Sequence, residues 1–152
     1  MPNTRFAHVN LVAVNWRKLA GFYVDTFGCT VKPPERNLTG KWLDELTAVK
    51  NAGIRGIHLH LPGYGKTGPT LEIFQYVRGK RKNSSAVNRP GFAHIAFAVS
   101  DVRKSLMKLE RNGGSRVGRL ISTRIEGAGR IEVVYARDPE GNIIELQKWG
   151  SK

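Results

Sequence analysis

The chain has 152 residues, 40% of them hydrophobic, and 25 Lys and Arg stand against 12 Asp and Glu for a net charge of +13. That length suits one domain or two small halves sharing a core, and the apolar fraction argues against wholesale disorder. One cysteine, Cys29, excludes an internal disulfide framework and a four-cysteine zinc site, and no apolar run approaches the roughly 20 residues of a membrane span.

Met1-Pro2-Asn3-Thr4-Arg5-Phe6 carries no signal-peptide core, so a cytoplasmic location is expected. A β-rich run follows, Ala7-His8-Val9-Asn10-Leu11-Val12-Ala13-Val14. Asn15 is a good N-cap for a helix with Trp16, Leu19, Ala20 and Tyr23 on one face, and Gly28 stops it. Strand-like stretches come at 30–32 and 54–61, separated by an irregular segment, 36–52, with a short helix expected around 42–49. The turn Gly63-Tyr64-Gly65-Lys66-Thr67-Gly68 leads into the strand Pro69-Thr70-Leu71-Glu72-Ile73-Phe74. Residues 78–90 are polar and basic without apolar periodicity, and read as a linker.

The pattern then repeats. Ala93-His94-Ile95-Ala96-Phe97-Ala98-Val99 matches the first strand, and Asp101 caps a helix with Val102, Leu106 and Leu109 on its apolar face, ended by Gly113-Gly114. Strands are expected at 116–121 and 131–136. The turn Asp138-Pro139-Glu140-Gly141 precedes Asn142-Ile143-Ile144-Glu145-Leu146-Gln147, the counterpart of the Glu72 strand. Each half therefore reads βαβββ, with modules at about 5–77 and 91–149.

Strand side chains alternate between faces. His8 shares a face with Asn10 and Val12, and His94 with the small Ala96 and Ala98, which describes an open surface rather than a helix-packed one. Glu72 stands with Phe74 and Tyr76, and Glu145 with Ile143 and Gln147. Burying a carboxylate costs several kcal/mol, of the order of the effective penalty per ion, unless a partner compensates it. A lone strand histidine or glutamate is ordinarily a core or salt-bridged residue. Here His opens both halves and Glu closes both, and a divalent cation is the simplest shared partner. Two nitrogen and two oxygen donors suit Zn, Ni, Co, Mn or Fe.

These segments resemble the vicinal oxygen chelate superfamily, which includes lactoylglutathione lyase (glyoxalase I), methylmalonyl-CoA epimerase, extradiol dioxygenases, and fosfomycin and bleomycin resistance proteins. The resemblance implies an α+β fold of two paired βαβββ modules forming a half-open barrel around one metal ion, with His8, Glu72, His94 and Glu145 as its ligands. A fourth ligand at the place of Glu72 brings the sequence closer to the lyase and the epimerase. In an extradiol dioxygenase, His8, His94 and Glu145 would suffice and Glu72 would be superfluous. A drug-sequestering protein has no need of carboxylates set beside histidines.

The implied activity is that of a metal-dependent lyase or isomerase, moving a proton next to a metal-chelated carbonyl through an enediolate. By the same resemblance Glu145 is the first choice of general base and Glu72 the second. His58 and His60 share a strand face beside Gly56 and read as half-exposed strand residues, with one of them available as a substrate contact. Tyr76 and Tyr135 read as core or rim aromatics able to donate to a substrate oxygen. The excess of basic residues favours a small anionic substrate, such as a thiol adduct, a CoA ester or a carboxylate. The basic run Arg78-Gly79-Lys80-Arg81-Lys82 reads as solvated linker, because no nucleic-acid recognition pattern accompanies it. A homodimer is implied by the resemblance.

Overall fold

Asn15 lies in an extended conformation and its side chain accepts the backbone N–H of Lys18 at 3.0 Å, which satisfies one of the free donors at the start of α1 (Trp16–Phe27). Gly28 ends that helix at φ 71°, a left-handed conformation that needs no Cβ. Asp101 repeats the first device at α3 (Val102–Arg111), accepting from Lys104 at 2.9 Å. The expected apolar faces of both helices are buried.

The computed structural model describes residues 3–150. The chain divides into two compact units, Met1–Arg81 and Lys82–Lys152. In the first, β1 (His8–Val12), β2 (Thr30–Thr39), β3 (Gly53–His60) and β4 (Thr70–Tyr76) form a sheet in the order β1-β4-β3-β2. In the second, β5 (His94–Ala98), β6 (Ser115–Arg116), β8 (Gly129–Arg137) and β9 (Ile143–Trp149) follow the order β5-β9-β8-β6, and β7 (Ile121–Ile125) pairs with β8. The first strand of each unit lies parallel to its last, and the other pairs are antiparallel. Both sheets are open, and the α+β class follows.

Each sheet buries one face under its helix. Leu59, Leu71 and Ile73 pack with Leu19 and Tyr23 of α1, and Val134, Ile144 and Leu146 with Val102 and Leu109 of α3. The opposite face carries His58, Glu72 and Phe74 in one unit, and Tyr135 and Glu145 in the other. In the first unit a short helix, α2 (Lys41–Thr47), covers one end of that face, with Leu43 packed beside Ile54, Phe74 and Tyr76. Asp44 fixes the return from α2 by accepting the backbone N–H groups of Asn51 and Ala52, both at 2.7 Å.

Two expectations about strands change. The second strand runs to Thr39 rather than stopping at residue 32, with a register shift between Lys32 and Arg36 where Pro33 and Pro34 lack the N–H that a ladder requires. Its counterpart, expected at 116–121, divides into β6 and β7, and both pieces pair with β8. Among the described residues no helix is long and apolar enough to cross a membrane.

Candidate functional site

Register positions the polar side chains. On the parallel pair β1–β4, His8 stands opposite Thr70 and Asn10 opposite Glu72; on β3, His58 stands opposite Glu72. On β5–β9, His94 stands opposite Ile143 and Ala96 opposite Glu145; on β8, Tyr135 stands opposite Glu145. In both modules the glutamate therefore lies two residues beyond the partner of the histidine. The turn before β9 holds that register. Asp138, nearly buried, accepts the backbone N–H groups of Glu140 and Asn142 and the Asn142 amide, while Gly141 takes φ 82°.

Glu72 is only 12% exposed and lies in a dense network. The Asn10 amide donates to its Oε1 at 2.8 Å, His58 Nε2 stands 2.8 Å from Oε2, and His8 Nε2 lies 3.8 Å from Oε1. Burial pushes the His58 imidazole below its ordinary range, outweighing the attraction of Glu72, and Arg36, His8 and Lys32 act in the same direction as burial. A neutral ring has one N–H, so Nε2 donates to Glu72 and Nδ1 accepts the Thr70 hydroxyl at 3.1 Å. His8 is the outer member, with its side chain 45% exposed.

Glu145 is 15% exposed, with His94 Nε2 at 3.1 Å from Oε2 and a hydrogen bond from Tyr135. Burial raises the Tyr135 phenol above its ordinary range, and the charge of Glu145 and the hydrogen bond to it add to that. The phenol is thus a neutral donor. Ala96 offers nothing corresponding to the Asn10 amide.

The donor chemistry suits a metal ion. Two donors each about 2.1 Å from one ion, at right-angled to tetrahedral spacing, lie about 3 to 3.5 Å apart. The His94–Glu145 separation of 3.1 Å falls in that range, and the His8–Glu72 separation of 3.8 Å needs a small side-chain rotation. The four expected ligands are brought together as two pairs, one in each module. As the side chains stand, no three His, Cys, Asp or Glu are arranged for an ion among the described residues.

Three participants were not assigned to the glutamates from sequence: His58, Asn10 and Tyr135. Alternation put Asn10 on the face of His8 and His58 on that of His60, but which strands neighbour one another, and in which register, decides what each side chain touches. His60, on the same face as His58, lines a separate cavity of about 660 Å³ with Val31, Pro33 and Leu61, and among the described residues its buried Nδ1 has no hydrogen-bond partner. Tyr76 packs as a rim aromatic in the α2 cluster. Lys82, from the basic run, binds the turn before β9 through the Glu140 carbonyl and the Asn142 side chain, both at 2.7 Å.

Two open βαβββ sheets, each with a histidine–glutamate pair on the face away from its helix, define a duplicated fold with a candidate metal centre. The sequence pattern of the Glyoxalase/Bleomycin resistance protein/Dioxygenase superfamily matches residues 5–146, and the chain belongs to that superfamily. Solved structures share the fold at low identity. A glyoxalase family protein from Bacillus cereus aligns with TM-score 0.77 and 16% identity over 99% of this chain and 96% of its own. A glyoxalase family protein from Enterococcus faecalis gives TM-score 0.60 and 21% identity over 95% and 98%. The genomically encoded fosfomycin resistance protein FosX from Listeria monocytogenes gives 0.61 and 15% over 99% and 96%. No curated protein sequence matches the chain.

Proposed function

We propose that this protein is a divalent-metal-dependent lyase or isomerase of the glyoxalase type, with His8, Glu72, His94 and Glu145 as its metal ligands. The reading rests on one observation above all: both modules carry the same His–Glu pair at the same two-residue offset across a parallel strand pair. A carboxylate set into an apolar strand is costly, and a structural role alone gives no reason for its recurrence beside an imidazole in both copies. A bound ion would supply Lewis acidity toward two substrate oxygens and so acidify the neighbouring carbon-bound proton.

The two glutamates divide the remaining work. Glu72 is held on Oε1 by Asn10 and on Oε2 by His58, which suits a stationary ligand. Glu145 has fewer ties and no amide opposite it, which suits a carboxylate that swings to the substrate and accepts the proton. Tyr135, kept neutral, donates to Glu145 and stabilises its charged form before transfer. The product of that transfer is an enediolate, reprotonated at the adjacent carbon. A ring-cleaving dioxygenase would leave the firmly held Glu72 without a task.

The test is metal analysis of untagged protein followed by turnover assays with the methylglyoxal–glutathione hemithioacetal and with methylmalonyl-CoA. We expect one Zn, Ni, Co or Mn per chain, loss of turnover on chelation, and reduced metal in variants of any of the four ligands. Oxygen-dependent ring cleavage with bound iron, or no metal after reconstitution, overturns the reading. The family likeness also leads us to expect a homodimer, measurable by sedimentation.

A further inference from the structure

The N-terminal module contains a cavity of about 310 Å³, at the small end of the range for small-molecule sites. Arg5, Lys32 and Lys66 line it, together with His8, His58 and Thr67. Three separate pieces of chain bring the cations there. Arg5 precedes β1, Lys32 lies on β2 opposite His58, and Lys66 sits in the loop between β3 and β4. That loop is tightly wound. Gly63 and Gly65 take φ 88° and 63°, and a Cβ on Gly68 would lie 2.1 Å from the Tyr64 Cβ.

Among the described residues none of the three cations has a hydrogen-bond or ion-pair partner, whereas Arg17 and Lys41 of the same module do. Arg17 grips Glu35 through both oxygens at 2.5 and 3.1 Å, and Lys41 lies 3.7 Å from Glu45. Glu72, the carboxylate paired with His8 and His58, does not line the cavity and already has His58 and Asn10 on its oxygens. Three uncompensated like charges around one small space repel one another, and an anion entering it removes that repulsion. Two lysines acting as point charges, one guanidinium and the Thr67 hydroxyl match a tetrahedral dianion better than a flat monocarboxylate, which a single Arg binds in a bidentate way.

We propose that this cavity seats a phosphate-type dianion, phosphate ester or phosphonate, carried by the substrate next to the His8–Glu72 pair. Assigning the dianion to the substrate rests on the metal reading above; the anion site itself does not. The chelator-treated full chain is titrated with inorganic phosphate and with acetate, and the bound state is mapped by amide chemical shifts. We expect saturable phosphate binding with shifts confined to residues 5–8, 32 and 65–70, and acetate at least ~10-fold weaker. K32A and K66A, at exposed positions, should each weaken phosphate ~10-fold or more, and the K80A/R81A double variant of the linker should not. Shifts on the unaltered protein keep the test decisive if a variant fails to fold. Absent or dispersed binding, acetate as tight as phosphate, or equal losses in K80A/R81A overturns the proposal. Stoichiometric metal without phosphate binding refutes the anion cavity alone, and phosphate binding without metal refutes the metal reading alone.

Discussion

Glu72 meets Asn10 on one neighbouring strand and His58 on the other; Glu145, at the same position of the second module, meets Ala96 and Tyr135. The histidine–glutamate pair is common to both copies, and everything bracketing it differs. An amide and a neutral imidazole occupy both oxygens of Glu72, while Glu145 keeps one phenol and one imidazole. The two carboxylates thus stand at equivalent positions in different surroundings, and the proposed roles, Glu72 as fixed ligand and Glu145 as base, rest on that difference. The flanks differ in the same way, with Gly56 and Phe74 beside His58 and Glu72 where the other module has Val133 and Gln147.

Substitutions at paired positions test this contrast. The largest effect is expected from Glu145→Gln, which should keep part of its metal and lower kcat ~10²–10⁴-fold, the usual worth of a general base. Glu72→Gln should lower metal occupancy first, and kinetics with metal analysis of both variants decides; the reverse order would exchange their roles. His58→Ala should weaken metal affinity ~10–100-fold, as loss of an orienting hydrogen bond does, and Tyr135→Phe should do less. Metal titration by calorimetry compares the two.

Gly56→Ala should destabilise the fold by ~1–3 kcal/mol in denaturant unfolding, because its Cβ would lie 2.1 Å from the Ile73 carbonyl oxygen and 2.7 Å from the Phe74 ring. Val133→Ala, at the matching place, should cost about 1 kcal/mol or less. Asn15→Ala and Asp101→Ala remove equivalent caps, and each should cost ~1 kcal/mol.

The smallest effect concerns Cys29. It is buried, and burial pushes its thiol up to about 11. Its counterpart before the strand, Gly114, has no room for a side chain, with Leu109 and the Arg137 carbonyl within 2.6 Å of a Cβ. Iodoacetamide at pH 8.5 should leave folded Cys29 unmodified and alkylate it only on unfolding. Above pH 9 the unfolded thiol ionises first, so this contribution to stability is present below pH 9 and is lost as pH rises through 11.

Local chemistry made much of this legible. N-caps at Asn15 and Asp101, helix faces of 3.6-residue period and strand faces of period two are set by neighbours in the chain, so the duplicated modules and the polar face bearing His8, Glu72, His94 and Glu145 could be read directly. The extent of β2 through two prolines and the division of its counterpart into β6 and β7 could not, because a partner strand sustains them. The same holds for His58 against Glu72, Tyr135 against Glu145, and the convergence of Arg5, Lys32 and Lys66. Alternation tells which way a side chain points along its own strand; only the pairing of strands distant in the chain tells what it meets.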